Sequence, residues 1–199
     1  MDYHSNRFID HSLMVYKKNR LLALLPACES VDGKTLISHG GLTFGGLIAV
    51  PKVGQYTMLT IVQALQSYLY ERNFSELLYK EIPYIYSSLP TEADAYALFR
   101  SEAEIVKIEL STCIYLSCTG TARYRNINKA RQLGLNSEFS TNISAFWNIL
   151  ATRLKKHNVS PTHSLAELEL LYNRFPDNIK PAIVNENTTL IAGAVAVLL

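Results

Sequence analysis

The chain has 199 residues, 48% hydrophobic and 18% charged, which supplies apolar content for a packed core and excludes a disordered, highly charged chain. A formal net charge of +2 excludes the broad basic excess of a general nucleic-acid binder, so any anion site must be local. Cys28, Cys113 and Cys118 form no C-x-x-C pair, and their odd number argues against a disulfide framework and for a reducing, cytoplasmic setting.

The opening residues carry no apolar run flanked by basic residues, so no secretory signal is expected. Residues 12–16 and 21–25 are apolar runs around the polar Lys17-Lys18-Asn19-Arg20, a pattern that predicts a β-hairpin. A third strand over 36–38 runs into His39-Gly40-Gly41-Leu42-Thr43-Phe44-Gly45-Gly46, a loop whose four glycines permit tight turns and close backbone approach. From 55 to 73, Met58, Leu59, Ile61, Val62, Leu65 and Leu69 recur at helical spacing and predict a long amphipathic helix.

Residues 75–82 read as a strand closed by Pro83, and 91–101 as a short helix behind Pro90. The β-branched and apolar stretch 105–116 predicts a long strand or a bent pair. Residues 122–133 predict a basic helix ended by Gly134, and helices follow over 144–157 and 164–175. In the last of these, Ser164 and Glu167 have capping-box spacing and Pro176 provides a stop. A second hairpin, 182–184 with 190–199, closes the chain, and its apolar stretch from Thr189 is too short to cross a bilayer.

The two hairpins share a spacing. Val15, five residues and Leu21-Leu22-Ala23 parallel Val184, five residues and Leu190-Ile191-Ala192, as a low-similarity internal repeat would.

The blocks HSLMVYKKNRLLALLPA, SHGGLTFGGLI, YRNINKARQLGL, ISAFWNILATRLKKH, THSLAELELLYNRFP and LIAGAVAV follow one another along nearly the whole chain. In that order the blocks resemble the bacterial FemABX-like, tandem GNAT acyltransferases. The resemblance implies an α+β fold: a mixed, mostly antiparallel GNAT-like sheet flanked by helices, with the start of a second such unit. It implies a first domain over 1–120 lacking its usual N-terminal part, a basic helix and connection over 121–140, and the N-terminal half of a second domain over 141–199. The implied activity is N-acyl transfer, acetyl transfer in the first place, from acyl-CoA (acetyl-CoA) to an amine such as an amino sugar or a cell-wall or polysaccharide precursor. Aminoacyl-tRNA is the alternative donor, and a non-catalytic truncated or remnant domain is the alternative to an enzyme. No metal is implied.

By resemblance, the loop with His39, Gly40, Gly41, Thr43, Gly45 and Gly46 occupies a strand-loop-helix position where backbone amides can face a phosphate. A structural glycine turn is the competing reading, and His39 is either a base or a hydrogen-bonded structural residue. Arg123, Arg125 and Lys129 form a second candidate. Arg125 and Lys129 share a helix face with no acidic residue at ion-pairing spacing, so they suit an anion or a solvated surface, with Ile127, Ala130 and Leu133 toward a core.

Tyr79, Tyr84 and Tyr86 cluster near Pro83 without an assignable role, and Trp147 reads as core. Glu102, Glu104 and Glu109 are undistinguished candidates for accepting the amine proton. Cys113 and Cys118 have no adjacent histidine and are not expected to be nucleophiles. The uncharged final strand invites self-association through its edge.

Overall fold

The computed structural model describes residues 7–42, 44–89, 91–110, 112 and 121–198. They form five α-helices and three small, mostly antiparallel sheets, an α+β fold. The chain divides into two compact units, Met1–Glu109 and Leu110–Leu199.

In the first unit, β1 (Leu13–Lys17) and β2 (Arg20–Leu25) form the expected antiparallel hairpin, with Lys18 in the left-handed region at φ 54°. Strand β2 continues onto β5 (Ile48–Ala49). A second sheet pairs β3 (Cys28–Glu29) antiparallel with β4 (Thr35–Ile37), and β4 runs parallel to β6 (Glu76–Leu78). A parallel pair needs a crossover connection, supplied here by the glycine loop and α1 (Gln55–Glu71).

Helix α1 forms because Met58, Ile61, Val62 and Leu65 lie one and two turns apart and bury together against Leu25, Leu36, Ala93 and Ala97. Each large aliphatic side chain so buried contributes about 1.5–3 kcal/mol. The helix stops short of the expected 73. Asn73 takes φ 60°, and the amides of Asn73 and Phe74 turn back to the carbonyls of Tyr70 and Leu69, closing the last turn. Helix α2 (Ala93–Arg100) packs on α1 through Ala93 and Ala97, and a 3-10 turn spans Tyr84–Tyr86.

The expected strand over 105–116 is not found in its described part. Residues 105–110 carry no regular structure, and Ile105, Val106, Ile108 and Leu110 are exposed. Their β-branched side chains fit a pleated surface only where a partner strand is present, and none pairs with them among the described residues. Residues 111 and 113–116 of that stretch, and Cys113 and Cys118, lie outside the described residues.

In the second unit, α3 (Thr121–Gln132) ends before Gly134, which takes φ 74°. Strand β7 (Leu135–Phe139) follows directly and pairs antiparallel with β8 (Ile179–Glu186), which pairs with β9 (Thr189–Val197). Helix α4 (Ile143–Lys155) is capped by the Asn142 side chain, which accepts the Ala145 amide at 3.0 Å. Helix α5 (Leu165–Arg174) begins with the expected Ser164/Glu167 capping box. Ile143, Phe146 and Leu168 form the core between these helices and the sheet, with Trp147, Leu150 and Val195 packed against them. Trp147 also donates its indole N–H to the His163 carbonyl at 2.9 Å, which satisfies its polar edge.

The two hairpins match in geometry as well as in sequence spacing. Val15 lies opposite Ala23, and Val184 opposite Ala192. Each ladder shifts register one residue later, between Val15 and Tyr16 and between Val184 and Asn185. Each turn has its first residue left-handed, Lys18 and Asn187 both at φ 54°. Among the described residues, no helix is long and apolar enough to cross a membrane.

Candidate functional site

The glycine loop leaves β4 and folds back on the residues after β6. Ser38 accepts the Lys80 amide on its hydroxyl at 2.5 Å, and the Lys80 ammonium donates to the carbonyls of His39 at 3.3 Å and Leu42 at 3.0 Å. His39 is buried and holds the left-handed backbone position at φ 40°. Its Nδ1 accepts the Gly41 amide at 3.2 Å, and its ring meets Phe8 edge-on at 5.7 Å. An Nδ1 that accepts a hydrogen bond is unprotonated, so a neutral ring carries its proton on Nε2. Thus Nδ1 is committed to the loop.

Most loop amides also turn inward. Gly40 donates to Cys28 Sγ at 3.2 Å, Leu42 to the His39 carbonyl at 3.1 Å and Gly45 to the Lys80 carbonyl at 3.3 Å. These donors brace the loop and do not form a ring open to a phosphate. The glycines answer a need for space. A methyl at Gly45 would lie 2.6 Å from the Ser38 carbonyl oxygen, and one at Gly46 would lie 2.7 Å from Tyr79 Oη. Thr43 lies outside the described residues.

Gly46 leads to the side chain that organises this region. Tyr79 Oη accepts the Leu47 amide at 2.7 Å and donates to Asp94 Oδ2, also at 2.7 Å. Burial, then the adjacent Asp94 carboxylate, pushes the phenol far above the ordinary tyrosine value, so it stays protonated. Desolvation followed by the charges of Asp94 and Glu92 raises the Glu81 carboxyl above its ordinary value, which marks a locally negative region. Tyr79 and Asp94 also line a cavity of about 290 Å3 between α1, β6 and α2. Its walls are largely aliphatic, and the exposed Tyr70, Ser75 and Glu76 among its lining residues connect it to solvent.

No protein-family model, curated protein or solved structure matches the chain.

The basic candidates lie in the second unit. Arg123, Arg125 and Lys129 are exposed on α3, and the ion pairs among the described residues involve none of them. The apolar side of α3 differs from expectation. Ile127 and Leu133 are exposed, because within this unit the helix packs mainly on the short β7. Glu102, Glu104 and Glu109 are exposed as well, and Glu109 is paired with Lys107.

Two groupings escaped the sequence reading. Tyr79 and Asp94 are 15 residues apart and meet because α2, packed on α1, brings Asp94 beside the residue that follows β6. His11, ahead of β1, links Glu29 on β3 at 2.6 Å through Nδ1 to the Tyr68 hydroxyl on α1 at 2.7 Å through Nε2. This carboxylate-imidazole-phenol chain is half-buried against Phe74 and ties the β3 sheet to α1.

Proposed function

We propose that the chain is part of an N-acyltransferase of the FemABX-like GNAT type, moving an acyl group from acyl-CoA to an amine. The observation that carries this reading is the join between loop and cavity. Tyr79 couples the backbone at the end of the glycine loop to a carboxylate on the wall of a ligand-sized cavity. The ordered sequence blocks support the same reading, as does a parallel β4/β6 pair connected through a loop and α1.

With the amides of Gly40, Gly41 and Gly45 engaged, the donor phosphates fit better at the start of α1 than in the loop. Gly54 provides no side-chain cap there, the first turn has no acidic residue, and Lys52 lies just ahead. Catalysis would come mainly from holding thioester and amine together. The test is calorimetric titration of the protein with acetyl-CoA, followed by a free-thiol assay for CoA release in the presence of amines. Saturable binding with amine-dependent release is expected, and absence of acetyl-CoA binding would refute the reading.

The exposed cations of α3 favour aminoacyl-tRNA as a second reading of the donor, since nucleic-acid phosphates pair with such side chains. That reading requires tRNA affinity that falls steeply with salt and weakens when Arg125 and Lys129 are replaced by Gln.

A further inference from the structure

We propose that the cavity between α1, β6 and α2 binds a primary amine with an apolar body, whose ammonium group is held by Asp94. The inference rests on the acyltransferase reading only in naming this amine as the acceptor.

Val62, Leu65, Leu69, Leu77 and Leu98 supply aliphatic walls, and the volume of about 290 Å3 suits a small ligand. The lining contains two carboxylates, Asp94 and Glu76, and no lysine, arginine or histidine among the described residues. An anionic or neutral sugar-like ligand would meet unfavourable charge and few polar partners there. A cation with a hydrocarbon tail matches both the charge and the walls.

The hydrogen bonds around Asp94 sharpen this choice. Because the Leu47 amide occupies the Tyr79 oxygen, the phenol proton is directed to Asp94 Oδ2. A phenol held protonated cannot compete as an anion for the ligand. Oδ1 has no partner among the described residues, and an ionised carboxylate can only accept. An ammonium offers three donors and completes that requirement with a charge-assisted bond. The nearby Glu81 and Glu92 add negative potential that draws in a cation. Asp94 also sits in the first turn of α2, where the helix dipole favours negative charge.

The test is titration of the whole chain with n-hexylamine, n-hexanol and glucosamine, followed by calorimetry and by chemical shifts of the Leu65 and Leu98 methyl groups. Hexylamine should bind and shift those methyls, with hexanol and glucosamine weaker by about tenfold or more. Asp94→Asn should reduce hexylamine affinity by about tenfold or more while leaving hexanol unchanged. Leu98→Trp, which fills the cavity without altering charge, should abolish both. The proposal is overturned if hexylamine does not bind the wild-type chain, if glucosamine binds as well as hexylamine, or if Asp94→Asn binds hexylamine normally. No acyl donor is present, so amine binding stands or falls separately from acyl transfer.

Discussion

Replacing Tyr79 by Phe removes one oxygen and two hydrogen bonds while keeping the ring that fills the space beside Gly46. The Leu47 amide donates to that oxygen at 2.7 Å, and Leu47 is buried, so the amide loses its partner where water enters poorly. Leaving such a donor unsatisfied costs about 1–3 kcal/mol. Asp94 is only half-buried and can recruit water, so its lost bond adds less. The total is about 2–3 kcal/mol. With a urea dependence of about 1–3 kcal/mol/M, the midpoint for the first unit should fall by about 1 M.

Far-UV circular dichroism follows that transition, while emission from Trp147, the chain's one tryptophan, reports the second unit separately. Amide exchange at Leu47 should accelerate selectively. Tyr84→Phe, at an exposed ring, is the control and should change the midpoint little. If Tyr79→Phe behaves like Tyr84→Phe, or leaves Leu47 exchange unchanged, the assignment of Tyr79 as the brace between loop and α2 is wrong.

Gly46→Ala should destabilise by about 1–3 kcal/mol through overpacking. Its methyl would meet Tyr79 Oη at 2.7 Å and the Lys80 carbonyl at 3.1 Å, and a urea midpoint equal to wild type would contradict that crowding. Glu81 has a raised folded-state carboxyl pKa, so its favourable contribution is present below the unfolded pKa and is lost as pH rises through the folded value. Glu81→Gln should therefore stabilise the protein at pH 7 relative to wild type, with the difference shrinking as pH falls through the raised folded value and vanishing below the ordinary carboxyl value of 4.5. Urea midpoints at pH 4 and pH 7 check the sign.

The elements readable from sequence are those whose stability is local or periodic. Met58, Ile61, Val62 and Leu65 announce α1 by spacing alone, and Ser164 with Glu167 announces the start of α5. Strand β7 was hidden because Leu135-Asn136-Ser137-Glu138-Phe139 has little strand propensity, and its extended form comes from pairing with 182–186 of β8. The converse holds over 105–110, where strong strand propensity finds no partner among the described residues. The loop was visible through its glycines, but their purpose was not. Positive φ falls on His39, whereas Gly45 and Gly46 are needed for close approach to Ser38 and Tyr79. Tyr79 drew no role from its neighbours in sequence because both its hydrogen-bond partners come from elsewhere in the chain.

The paired hairpins carry a consequence for association. Ala23 of β2 lies opposite Val15 on one side and Ala49 of β5 on the other. The matching residue of the second hairpin, Ala192, lies opposite Val184, and among the described residues β9 has no second neighbour. Among the described residues, the edge that β5 covers in the first unit has no covering strand in the second. Residues 189–198 carry no charge and no proline, so two common guards against edge pairing are missing. Gly193 lies beneath Phe146 and Val195 packs on the α4/α5 core, whereas Ala192, Ala194 and Ala196 are exposed on the opposite face. Lysine at 194 therefore adds charge without entering the core. Ala194→Lys should shift the protein toward monomer in sedimentation velocity across a concentration series, with unchanged Trp147 emission. Concentration-dependent association equal to wild type would show that the β9 edge does not drive it.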